Sequence, residues 1–329
     1  MSIEVKRYKK EDQNRWNDFI LKAKNSTFLF HRNYMDYHSD RFDDFSIIVE
    51  ENGEIVSVLP ANIKENKIYS HSGLTYGGFV FKSNSSILKN LSYLKLVLKF
   101  LNDSNVIGLV LKVLPDFYTK CSQLEIEYAL FLLNAKLLRI DTALVLDFTS
   151  SLNRKMPKGR KSEITKAKRF NVKVEETDNC DYFWNSILIP NLNSRFDVMP
   201  VHTLKEITYL KEKFPKNIKQ FHSLVDDEIV AGTTIYETET TVHLQYLAGN
   251  EKSKRTGALD FLFYYLINYY FDERKYFDFG IVNESDGRKV NIGMLKWKES
   301  FGSRIELHKF YEIKSHNYSN LEIDNFRTI

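Results

Sequence analysis

Residues 277–302 read FDFGIVNESDGRKVNIGMLKWKESFG, the most informative run in the chain. A short aromatic strand ends at Asp278-Phe279-Gly280, a polar loop follows, and a helix then carries Lys298 and closes on Phe301-Gly302. Polar side chains just past the end of a strand line crevices more often than plain surface. Asp278, between two phenylalanines, reads either as a proton acceptor or as a hydrogen-bond partner of the following loop. Asn283, Glu284 and Asn291 either contact sugar hydroxyls or cap a helix over 291–300, and Glu284 is an alternative general base. By residue type alone, Lys298 reads as a surface lysine.

Working outward, the chain shows one order of elements twice. In the first half, helices are expected at 14–24 and 33–41, then a hairpin through Asn52-Gly53, the strongest short hairpin signal in the sequence. Strands at 67–70 and 77–81 precede an amphipathic helix, 86–102, with Leu88, Leu91, Leu94, Leu98 and Leu101 at helical spacing. A strand at 106–113 and a helix near 122–133 follow. The second half has helices at 182–193 and 203–213, a hairpin through Asp226-Asp227, a third strand (241–248), a loop, a helix (258–271), the opening segment and a last strand, 304–313. This predicts an α/β (α+β) chain of two tandem units, each a mostly antiparallel mixed sheet flanked by helices. The expected domains are 1–148 and 149–329, packed tightly enough for a site between them.

Composition sets limits on function. The 329 residues include 43% hydrophobic, 27% charged and 14% aromatic residues, enough to build two cores. A net charge of +4 does not by itself argue for nucleic acid. No apolar run is long enough for a membrane span, and the N-terminus MSIEVKRYKKEDQ carries no secretory signal, so the expected location is cytoplasmic. The two cysteines, Cys121 and Cys180, read as free thiols, and no His/Cys/Asp cluster has metal-ligand spacing.

Three patches resemble FemAB-like acyltransferases, which are built from GNAT-type domains. They are Tyr69-Ser-His-Ser-Gly-Leu-Thr-Tyr-Gly-Gly78, the basic helix Lys158-Gly-Arg-Lys-Ser-Glu-Ile-Thr-Lys-Ala-Lys-Arg169, and Trp297-Lys-Glu-Ser-Phe-Gly302. The last, an aromatic-Lys-x-x-Phe-Gly motif, is the most specific. The resemblance implies acyl or aminoacyl transfer to an amine, often on a nucleotide-linked cell-envelope or polysaccharide precursor. It implies a catalytic second domain, a first domain that helps form the cleft, and Lys298 at the reacting carbonyl as a cation against developing negative charge. Asp278 or Glu284 would then receive the proton. The donor implied is acetyl-CoA or another acyl-CoA. Aminoacyl-tRNA is the alternative, although no coiled-coil arm is present; a lipid-linked precursor would imply peripheral membrane contact. A different class, a non-catalytic ligand-binding protein that kept the fold, is also open. Oligomeric state is not legible.

In the GNAT pattern, a thioester lies between splayed strands and its pyrophosphate sits on the turn before the next helix, where free N–H groups favour anions. Here that turn is Lys254-Arg255-Thr256-Gly257-Ala258, with Leu259 where the pattern has a second small residue. A solvated charged loop explains the same residues. On the third strand, Gln245 and Tyr246 are expected against the cofactor. A period of two puts His243, expected to contact substrate, with Gln245 on one face and Tyr246 on the other. Arg195 and His202 are placed in a cleft-lining loop, Tyr76 on the first unit's rim, and Arg160 within a basic run (154–169) that either clamps phosphates or forms a solvated helix face.

Overall fold

The computed structural model describes residues 2–150, 156–271 and 274–321. Thr142–Glu306 form one compact unit, and Met1–Asp141 together with Leu307–Ile329 form the other. Among the described residues, no helix is long and apolar enough to cross a membrane. Arg154 and Lys155 of the basic run lie outside the described residues.

In the first unit, Ile47–Glu51 and Glu54–Leu59 pair antiparallel around Asn52 and Gly53, at φ 53° and 83°. Both central residues of such a two-residue turn need positive φ, which Asn-Gly supplies at least cost. Ile3–Arg7 and Val80–Phe81 complete this antiparallel sheet. Helix Ile87–Asp103 starts on Ser86, whose side chain accepts from Lys89 N. It lays Leu91, Leu94, Leu98 and Leu101 into a core with Ile47, Val49 and Phe81, while Leu88 of the expected stripe is exposed. A second group of strands contains Gly108–Lys112, which pairs parallel with Lys67–Tyr69 and antiparallel with the strand Arg304–Lys314. A division at 148/149 gives that last strand to the second domain. Its register, Phe310 opposite Lys112 through Lys314 opposite Gly108, puts its residues from Leu307 onward in the first unit instead.

The second unit is built on a sheet ordered β2-β3-β4-β5-β6-β1, where β1 is Lys136–Asp147, β2 Lys173–Thr177, β3 Ile218–Val225, β4 Glu228–Glu237, β5 Thr241–Gly249 and β6 Tyr276–Ile281. Every neighbouring pair is antiparallel except β5 and β6. The first half's last strand thus pairs with β6 through residues 143–147. The helices are α1 (Lys158–Arg169), α2 (Ile189–Phe196), α3 (Leu204–Lys213), α4 (Glu251–Thr256), α5 (Ala258–Tyr265) and α6 (Ile292–Glu299). The core under α5 and α6 gathers Val242, Leu244, Leu262, Phe263, Phe277, Phe279 and Phe301.

Two local irregularities shape this sheet. Opposite β4, Thr234 faces Tyr246 and Ile235 faces Leu244, so Gln245 is the extra residue of a β-bulge. In β6 the register slips between Asp278 and Ile281, and Gly280 sits at φ +75°, where a side chain would strain the backbone. The parallel ladder of β5 on β6 runs from Thr241–Tyr276 to its last rung, His243–Asp278. Immediately beyond that rung both strands are bulged, and they part.

Candidate active site

The aromatic motif positions the lysine. Trp297 and Phe301 of the α6 segment pack on β6 and α5: Phe301 stacks on Phe279 at 5.4 Å, and Trp297 meets Phe263 edge-on at 5.3 Å. Such pairs contribute about 0.5–1.5 kcal/mol each beyond area burial. They hold Lys298 over the parted strands, buried, with Nζ donating to Gly280 O and Ile281 O, both at 2.9 Å. Burial pushes its amine down to about 8, with Asp278 opposing the shift. An ammonium with that value is still mostly protonated at neutral pH.

Lys298 lines a cavity of about 330 Å³ within the second unit. Its walls come from Leu247, Ala248 and Gly249 at the free end of β5, from Gly257 and Asp260 at the start of α5, and from Trp297. Arg195 and Lys254, both exposed, stand at this same cavity as cations. Behind the ladder's last rung, His243 Nδ1 lies 2.8 Å from Asp278 Oδ2, and Asp278 Oδ1 accepts from Gly280 N at 2.7 Å. Asp278 has 0% exposure. A sheet that opens over a cavity, with an ammonium at the opening and cations at the wall, can hold an anionic carrier and polarise a carbonyl.

Known structures share this architecture. A crystal structure of FemX matches with a TM-score of 0.66 at 11% identity, over 97% of this chain and 99% of that one. L-PGS from Bacillus licheniformis matches at 0.58 and 12%, over 94% and 93%. A tandem GNAT protein from the clavulanic acid biosynthesis pathway matches at 0.52 and 10%, over 95% and 99%. The fold is FemAB/GNAT-like. No protein-family model matches the sequence, and no curated protein matches it.

Within the FemAB/GNAT-like fold the expected residues separate into those at the cavity and those spent on structure. Lys298, Arg195, Lys254 and Gly257 line the cavity. Gly257 also has a packing reason, because a Cβ there would lie 2.7 Å from Glu163 O. The turn before α5 is not an open loop. Residues 251–256 wind into α4, Asn250 Oδ1 caps Ser253 N at 2.9 Å, and Ser253 Oγ accepts from Leu259 N at 3.2 Å. Thr256 bonds back to Lys252 O, Ala258 is core, and Arg255 is exposed away from the lining residues.

On β5 the bulge overturns the simple alternation. His243 pairs opposite Tyr236 and Tyr246 opposite Thr234, so these two share a face, and Leu244 joins Leu247 on the other. Tyr246 is buried against Trp184 at 4.9 Å rather than facing the cavity. Its hydroxyl accepts from His202 N at 3.0 Å, and burial pushes it up to about 12. His202, in the loop between α2 and α3, is therefore a buried partner of Tyr246. The amide oxygen of Gln245, at the bulge, is buried without a hydrogen-bond partner among the described residues.

The loop after β6 is also structural. Asn283 Oδ1 accepts from Thr142 N at 2.5 Å and Thr142 Oγ1 at 2.7 Å, and Asn291 caps α6 through Met294 N at 3.0 Å. Glu284 is exposed on a small hairpin and meets Asn291 at 3.4 Å. Tyr76 is core, donating to Thr27 Oγ1 at 3.0 Å between Phe30 and Tyr118, so it forms no rim. Arg160 is no phosphate clamp. It pairs with Asp260, donates to Ser300 Oγ at 2.9 and 2.7 Å, and lies 4.5 Å over the Phe301 ring. Asp260, which no sequence pattern singles out, joins that network and also accepts from Trp297 Nε1 at 2.8 Å. Among the described residues, no group of three or more His, Cys, Asp or Glu is arranged to hold a metal.

Proposed function

We propose that the chain is a cytoplasmic N-acyltransferase that moves an acyl group, acetyl in the first instance, from a CoA thioester to an amine of a nucleotide-sugar or cell-envelope polysaccharide precursor. The observation that carries this reading is Lys298, buried at the point where β5 and β6 part and lining a cavity walled by the end of β5, the start of α5 and Trp297. The thioester would lie along the wall of Leu247, Ala248 and Gly249, with its phosphates toward Arg195 and Lys254. With the turn before α5 capped by its own side chains, these two cations are the stronger anion contacts. Two ammonium hydrogens of Lys298 are donated to carbonyls, and a third is available to the oxyanion that forms when the amine attacks. The likeness to tandem GNAT and FemX structures supports the fold this chemistry requires.

The test is release of free thiol from acetyl-CoA in the presence of candidate amines, with calorimetry for acetyl-CoA binding. Lys298→Ala should lower kcat about 100-fold while the protein melts as a folded domain. An unchanged rate would remove Lys298 from the chemistry. A second reading, an aminoacyl-tRNA donor, has its own observation: Lys158, Lys161, Lys168 and Arg169 are exposed along α1. Transfer-RNA binding that weakens steeply with salt, together with no affinity for acetyl-CoA, would favour that donor.

A further inference from the structure

The proposed chemistry leaves a proton to be removed from the attacking amine, and the obvious carboxylates are badly placed for it. Asp278 has 0% exposure, and both of its oxygens are engaged, so no substrate reaches it directly. Glu284 is exposed on the hairpin of Asn283–Glu284 with Lys289–Val290. His243, in contrast, ends the β5–β6 ladder, at the point where the strands part. Its side chain keeps 11% exposure.

Gly280 ties His243 to Lys298. A Cβ built on Gly280 would sit 3.7 Å from His243 Cε1 and 4.0 Å from Lys298 Nζ, with Leu244 O at 3.8 Å. Imidazole and ammonium therefore flank the same glycine. They also approach it from opposite sides of the sheet. Lys298 and the cavity lie on the face of Leu244 and Leu247, and His243 lies on the face of Tyr236 and Tyr246. A thioester entering from the cavity would present its carbonyl at the opening, and an amine arriving from the other face would meet it beside the imidazole.

We propose that His243 is the catalytic base of this acyl transfer and that Asp278 is its positioning residue; the proposal rests on the acyltransferase reading above. Asp278 Oδ1 accepts a backbone N–H, which suits a carboxylate, and a carboxylate can only accept from the imidazole. Nδ1 therefore carries the hydrogen toward Asp278 Oδ2, and Nε2 is the basic nitrogen. The amine nitrogen bonds to the carbonyl carbon, and Nε2 takes its proton. The tetrahedral oxyanion, held by Lys298, collapses with rupture of the C–S bond, and the proton passes to the departing thiolate.

The experiment measures thiol release from acetyl-CoA with two acceptors, ethanolamine and hydroxylamine. Ethanolamine is protonated at neutral pH and needs a base; hydroxylamine is largely neutral. His243→Gln should lower kcat with ethanolamine about 100-fold. With hydroxylamine the loss should be far smaller, and KM for acetyl-CoA should not change. A purely structural histidine would depress both acceptors alike, and that outcome overturns the proposal, as does a wild-type rate with ethanolamine. Added imidazole should restore His243→Ala. Asp278→Asn should cost kcat about 10–100-fold without altering KM; should it fail to fold, the two His243 variants still decide. A wild-type protein that releases no thiol with any amine would overturn the acyltransferase reading itself, whereas a wild-type-like His243→Gln overturns only the base.

Discussion

Lys112 in the first unit and Lys298 in the second are chemically alike and stand in different surroundings. Burial pushes each amine down to about 8, and each donates to backbone carbonyls, Leu74 O for Lys112 and Gly280 O with Ile281 O for Lys298. Lys112 lies in an intact stretch of pairing: its N–H donates to Ser70 Oγ at 2.7 Å and its C=O accepts from Gly77 N at 3.1 Å. Its ammonium rests 5.6 Å from the Phe310 ring, beside an Arg139 bound to Asp141. Lys298 overhangs a ladder that has just ended and lines a cavity. A depressed lysine marks burial; a depressed lysine at a parted sheet marks a place where chemistry can be done.

Exchanging each lysine for methionine should separate the two most. Lys298→Met should lower acyl transfer 100-fold or more, by about 3 kcal/mol of transition-state stabilisation, whereas Lys112→Met should leave thiol release unchanged. If both variants lose activity equally, the contrast between the units fails. The pH dependence sharpens it further. As pH rises through about 8, Lys298 loses its proton and the rate should fall, and Lys298→Arg should move that fall to higher pH. An unfolded lysine keeps its proton up to about 10.5, so between pH 8 and 10.5 the unfolded state binds more protons and wild-type stability should rise. Urea titrations should find that rise reduced in Lys298→Met to the part that Lys112, depressed to about 8 as well, still contributes.

The Arg160 network comes next in size. Removing one partner of a buried ion pair strands the other, so Arg160→Ala should cost about 3 kcal/mol in urea unfolding. A loss under about 0.5 kcal/mol, the range of exposed pairs, would return Arg160 to the surface role that its basic run suggests. The smallest effect belongs to the first unit. His71 is pushed down to about 3, by burial first and then by the charge of His38. The unfolded histidine protonates near 6.5, so stability should drop as pH falls from 6.5 toward 3, by about 2 kcal/mol at pH 5. His71→Asn should flatten that slope.

How much of this was legible in sequence depends on the range of the interactions. The Asn52-Gly53 and Asp226-Asp227 turns and the leucine stripe, apart from the exposed Leu88, are local signals, and the structure has them where the chain spells them. The Trp297-Lys298-x-x-Phe301 spacing was legible as a motif, and the aromatic packing on Phe279 and Phe263 gives its reason. The bulge at Gln245 was not legible, because alternation assumes an unbroken period of two, and one inserted residue reverses the faces of everything after it. The His243–Asp278 contact joins residues 35 apart through a parallel pairing, and no local pattern announces it. Arg160 misled for a similar reason. Its neighbours are exposed lysines, and only the fold brings Asp260 and Ser300 to it.

The membership of the two units has a consequence for the order in which the molecule can be made. The second unit has the six strands of its sheet, β1 to β6, once residue 281 has been synthesised, and its residues run without interruption from Thr142 to Glu306. The first unit waits. Gly108–Lys112 has no antiparallel partner on that side until Phe310–Lys314 emerge, some two hundred residues later. On the ribosome, the earlier-made half is therefore the one completed last, and it carries an open strand edge through most of translation. A break in the chain at 148/149 would leave that edge with no strand of its own to receive.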